Sequence, residues 1–175
     1  MRRASLIVTL ALLALSPKPS ARLGREPVQP EAGALAIIVH RSNPVNDLTL
    51  GELRRIFLLD TQSWPNKHRI TVVLREKGQP ERAEAISLLC GMSETQFDRH
   101  ILFLAFNGTI TRGPRTIQSA NAMIRFVFNV PGAIGHIPAE LADGTVKVLR
   151  VGGRLPGDPQ YPLRRPQPKP PAPGL

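Results

Sequence analysis

The chain has 175 residues, a formal net charge of +10 and only 5% aromatic side chains. Basic chains neutralise phosphates, but residues 35–152 carry 14 Lys and Arg against 10 Asp and Glu, so only +4 lies there. With so few aromatics to stack on bases, no nucleic-acid partner is expected; a mildly basic domain suits a small anion or an acidic surface.

Met1-Arg2-Arg3 precedes the apolar run Leu6 to Leu15. A basic end followed by about ten apolar residues is the layout of a secretory signal, and it is too short to span a bilayer. Residues 1–21 therefore read as a signal peptide and 22–34 as a flexible spacer, giving a periplasmic or otherwise extracytoplasmic protein with no transmembrane span in the mature chain. Cutting after Ser16 puts Pro17 at the scissile bond, and cutting after Ala21 leaves Pro19 just upstream, so the cleavage point and even an uncleaved leader stay open.

Ala34 to Val39 is a continuous apolar run, the pattern of a strand buried on both faces. Ser42 to Asp47 is a turn cluster. Thr49 and Glu52 then form a capping box, in which hydroxyl and carboxylate satisfy free amides at a helix start. Leu50, Leu53, Ile56 and Phe57 line the apolar face of that helix. Trp64 to Lys67 reads as a turn, and Ile70 to Leu74 as a strand rich in β-branching. Pro80 suits the first position of a helix that runs to Cys90 and leaves through Gly91. Cys90 is the only cysteine, so it forms no internal disulfide, and its apolar helical setting makes it a buried filler.

Ser93 and Gln96 open a further helix to about Ala105, and a loop follows to Pro114. Arg112 and Arg115, flanking Gly113-Pro114, read as part of that solvated loop. Thr116 or Ser119 begins a helix with Met123, Ile124, Val127 and Phe128 on its apolar face. Gly132 to Ile137 and Thr145 to Val151 are strands. Strands alternating with helices predict an α/β three-layer sandwich around a mostly parallel or mixed sheet, occupying residues 35–152. Residues 153–175 hold eight of the 18 prolines and read as a basic, disordered, polyproline II-like tail. Its deletion is expected to leave stability almost unchanged.

Four stretches carry a resemblance. They are Ala36-Ile37-Ile38-Val39-His40-Arg41-Ser42-Asn43-Pro44, Leu50-Gly51-Glu52-Leu53-Arg54-Arg55-Ile56-Phe57, Trp64-Pro65 leading to Val72-Val73-Leu74-Arg75, and Pro131-Gly132-Ala133-Ile134-Gly135-His136. In this order they resemble the phosphate-type ABC transporter substrate-binding proteins, of type 2 periplasmic-binding fold. The length matches one lobe of such a protein. The resemblance implies a non-enzymatic, exported solute-binding domain with an ABC permease or envelope protein as partner. Larger members carry a Ser-Gly-Thr turn where this chain reads Gln79-Pro80-Glu81, and a tyrosine where it has His136.

An anion site is also argued without the family. A strand feeding a glycine turn and then a helix leaves unpartnered amides at the positive end of the helix dipole. Arg75, Gly78, Gln79 and Arg82 are therefore expected to hold a small oxyanion, with Ser42 and Asn43 as donors and Lys77 as a more distant attractor. Glu81, in the same first turn, competes for that role. The four histidines show no metal spacing, no nucleophile or phosphate-loop motif stands out, and no cofactor is implied. A second functional reading keeps the fold for envelope interaction or sensing, without a tightly held small ligand.

Overall fold

The computed structural model describes residues 33–164; the leader and residues 165–175 lie outside it. Among the described residues no helix is long and apolar enough to cross a membrane. In chain order the elements are β1 (Leu35–Val39), β2 (Asp47–Leu48), α1 (Leu50–Phe57), β3 (Thr71–Arg75), α2 (Pro80–Cys90), α3 (Glu94–Phe106), β4 (Arg115–Ile117), α4 (Ala120–Asn129), β5 (Ala133–Pro138), a 3-10 turn (Ala139–Leu141), β6 (Lys147–Val148) and β7 (Arg150–Val151).

The local chemistry sets the boundaries. Thr49 and Ser93 each cap their helix by accepting from the amides of Glu52 and Gln96, and their own amides donate back to the Glu52 and Gln96 side chains. Gly91 ends α2 at φ 65°, the left-handed conformation that glycine adopts at least cost. Burial pushes the Cys90 thiol up to about 11, and its carbonyl takes the Arg54 guanidinium, so it is an inert packing residue.

The main sheet has the order β4-β3-β5-β1-β6, and β2 pairs separately with β7. β3 lies parallel to both β4 and β5, whereas β1 runs antiparallel to β5 and β6. The step from β3 to β4 goes one way along the sheet and the step from β4 to β5 returns past β3. Right-handed crossovers then put α2 and α4 on opposite faces, the three-layer sandwich that the sequence predicts. All five residues of β1 are buried, as expected for a strand covered on both sides. At Gly132 a side chain would meet the Arg69 carbonyl at 2.1 Å, so only glycine lets β5 start this close to the turn before β3. Trp64 locks the same corner by donating its indole N–H to the Gly132 carbonyl at 3.1 Å.

Three sequence expectations are corrected. Arg115 to Ile117 is a strand, not loop or helix start, because it pairs with Val73 to Arg75. Residues 145–151 do not make one strand; Leu149 still bonds β1 at Ile37, but β6 and β7 serve different sheets. The third concerns the domain boundary. Residues 154–164 pack: Leu163 accepts a backbone bond from Leu35 at 2.9 Å, and the Tyr161 hydroxyl donates to the Leu35 carbonyl at 2.9 Å. Tyr161 and Leu163 are both buried. The prolines give this segment an irregular path without keeping its apolar side chains out of the core.

Candidate functional site

β3 delivers Arg75 to the C-terminal end of the parallel strands, and the chain then turns through Lys77 and Gly78 into α2. Gly78 has φ +80° and an open space before it. Gln79 is the N-cap, but its side chain makes no capping bond, and Pro80 follows at the first helical position. The start of α2 thus keeps its positive end free of a side-chain cap. The Gln79 amide does turn back to the Glu76 carbonyl at 3.3 Å, and the Arg82 amide to the Gln79 carbonyl at 3.0 Å.

The two arginines differ sharply. Arg82 is buried and saturated. Its Nε donates to Glu94 at 2.6 Å, Nη2 to Asp98 at 2.9 Å and Nη1 to the Arg75 carbonyl at 3.1 Å, and it lies 5.9 Å from the Phe97 ring centre. Lys77 pairs with the other Asp98 oxygen at 2.7 Å. Partial burial pushes the Asp98 carboxyl up, but the Lys77 and Arg82 bonds and charges outweigh it and hold the group below its usual range. Arg82 and Lys77 are therefore committed to α3, against the expectation that they serve a ligand. Arg75 is also buried, yet its hydrogen bond is a long one, from Nη1 to the Ile117 carbonyl at 3.4 Å. Among the described residues it has no carboxylate partner.

Ser42 and Asn43 are not brought to this end. Because β1 is antiparallel to β5, its exit at Val39 lies level with Ile134, at the end where β3 begins. Ser42 is held locally: His40 Nδ1 accepts from its hydroxyl at 2.7 Å and from its amide at 3.0 Å. Asn43 is buried, with its carbonyl taken by Lys147. The sequence pattern shows that a strand exists but not its direction, and the antiparallel β1 carries the two expected donors to the opposite end.

The structure adds His136, which the sequence reading treats only as a replacement for an aromatic ring. It is 1% exposed on β5, and neither ring nitrogen has a hydrogen-bond partner among the described residues. Burial first, then the Arg75 and Arg82 charges, pull its pKa down to about 3. Glu81 keeps its place in the first turn of α2, with Oε2 buried and unpartnered. It offsets the helix dipole and works against an anion there.

A pH dependence follows. Below about pH 6.5 the unfolded imidazole takes up a proton that the folded ring refuses. The contribution to stability is complete above that pH and drains as pH falls towards 3, by about 1.4 kcal/mol per pH unit. In urea titrations at pH 6.5 and 4.5, the wild-type protein should lose more stability than His136→Leu. Equal losses would mean that the buried ring accepts the proton.

Neither a protein-family model nor a curated protein matches the chain. Solved structures do. An ABC-type phosphate transport receptor from Vibrio cholerae is 24% identical at TM-score 0.58, over 71% of this chain and 48% of its own. PstS from Borrelia burgdorferi is 16% identical at TM-score 0.60, over 76% and 55%. A phosphate-binding protein from Stenotrophomonas maltophilia is 15% identical at TM-score 0.56, over 73% and 41%. The domain therefore has the fold of one lobe of a type 2 binding protein, as its four motifs led one to expect. The chain spans about half the length of the solved structures it matches.

Proposed function

We propose that this is an exported solute-binding domain that receives a small oxyanion of phosphate or sulfate type where β3 meets α2, and that it accompanies ABC-type uptake. The observation that carries this reading is Arg75: a buried guanidinium with one long bond to a carbonyl, beside a helix start that no side chain caps. Its planar fork suits two oxygens of a tetrahedral anion. The Gly78 N–H and the Gln79 side-chain amide, which makes no capping bond, are the adjoining donors. The solved structures named for phosphate binding or transport support the substrate class, and the leader supports an extracytoplasmic location. The reading is one of binding, with no catalytic step in it.

Arg82, Lys77, Ser42 and Asn43 do not contribute, so affinity is modest. Two charge-assisted bonds amount to roughly 3–6 kcal/mol, a dissociation constant on the order of 1 mM. At a hundredfold excess over that constant the folded state gains about 2.7 kcal/mol. Phosphate and sulfate also stabilise proteins by exclusion from their surface, so the informative readout is the melting shift of wild type minus that of Arg75→Gln. Identical shifts would remove the anion site.

A second reading, an envelope interaction or sensory domain without tight ligand binding, is favoured by a different observation. On α3, Leu102, Phe103 and Phe106 are 57%, 62% and 83% exposed, a contiguous apolar edge of the kind that marks an interaction surface.

A further inference from the structure

At the other end of β3 a cleft of about 300 Å³ opens between the turn before β3 and the loop leading to β4. Arg69, Arg112 and Arg115 all line it, and no carboxylate does. Arg69 comes from the approach to β3 and Arg115 from the start of β4, strands that lie parallel with Val73 beside Arg115. That pairing brings Arg69, just before β3, and Arg115, the first residue of β4, to the wall of one pocket. None of the three forms an ion pair among the described residues. Arg69 donates to the Thr111 hydroxyl at 3.1 Å, which fixes its head without neutralising it. Beside the charges the lining is mixed: Ile70 and Ile110 are buried and Phe126 half-buried, while Thr61, Gln62 and Thr71 add polar groups.

We propose that this cleft is a binding site for a small organic anion, one carboxylate or phosphate head carried on a ring or branched apolar body. Three like charges around one concavity repel one another and focus a positive potential into it, and a bound anionic head relieves both. The apolar part of the wall, Ile70, Ile110 and Phe126, favours a body for the head: an inorganic oxyanion leaves that surface wet. The volume fits, since a ring of benzene size fills a cavity of about 150 Å³, and half the space remains for the head. The six residue steps from Arg69 to Arg75 span roughly 20 Å of extended chain, so this cleft and the oxyanion site at the start of α2 are separate. The proposal does not rest on that site.

The test uses the full chain with phenyl phosphate as probe, against inorganic phosphate and benzyl alcohol. Binding is followed by amide chemical shifts. The cleft reading predicts saturable shifts at Thr71, Ile110 and Arg115 with phenyl phosphate, at least tenfold weaker binding for benzyl alcohol, and no saturable shift there with inorganic phosphate. Arg112→Ala combined with Arg115→Ala, both exposed side chains, should weaken phenyl phosphate at least tenfold. The proposal is overturned by an absence of shifts, by shifts confined to Glu76 through Glu81, by benzyl alcohol or inorganic phosphate binding equally well in the cleft, or by unchanged binding in the double variant. Loss of the Arg75 site would leave the shifts at Thr71, Ile110 and Arg115 in place.

Discussion

Ending the chain at Gly152 should cost about 5 kcal/mol or more, enough to unfold a domain of ordinary stability at 25 °C. The cut removes two buried side chains, Tyr161 and Leu163. Truncating a core leucine costs about 2–5 kcal/mol and a large aromatic about 3–5 kcal/mol. It also strips β1 of the partners at Leu35, whose amide bonds the Leu163 carbonyl and whose carbonyl takes the Tyr161 hydroxyl. Those groups lie in the interior, so each loses a bond that water does not replace. Circular dichroism of the 1–152 chain should show little cooperative thermal unfolding. A sharp transition close to that of the whole chain would mean that residues 154–164 only decorate the surface.

Arg82→Ala should lower stability by about 3 kcal/mol in urea denaturation. The Arg82 side chain is 4% exposed and ties α2 to two other elements: Glu94 and Asp98 on α3, and the Arg75 carbonyl at the end of β3. Removing it leaves two carboxylates facing each other over a void. These are 24% and 31% exposed, so water reaches them and the loss sits at the lower end of the range for a broken buried pair. Arg82→Lys should recover little of it, because an ammonium lacks the fork that meets both carboxylates and the carbonyl at once. A loss under about 1 kcal/mol would show that α3 is held chiefly by Phe97 and not by this network.

Elements governed by local chemistry were readable before folding. The capping boxes at Thr49 and Ser93, Pro80 at the head of α2 and Gly91 at its end all act within a few residues. What depends on distant pairing was not. β4 is three residues long with two of them exposed, so its pattern carries no periodic signal, and it exists because β3 is there to bond. The reversal of β1 leaves no trace in a run of five apolar residues, yet it moves Ser42 and Asn43 to the wrong end of the sheet. Glu94 and Asp98 lie 12 and 16 positions beyond Arg82 on another helix, so the grip that withdraws Arg82 from any ligand was invisible. Of the candidate site, Arg75 and the Gly78-Gln79 turn were legible, because a strand end and the helix start after it are neighbours in sequence. Tyr161 and Leu163 offered an overlooked signal: two apolar side chains spaced as i and i+2 inside a proline-rich stretch.

The account depends on Arg75 being a buried cation still available to an outside partner. Calorimetric titration of the protein with sulfate, beside Arg75→Gln, asks this most directly. One saturable binding event per chain in the wild type, and at least tenfold weaker binding in the variant, is the predicted result. A flat trace in both proteins, or the same binding curve in both, would contradict it.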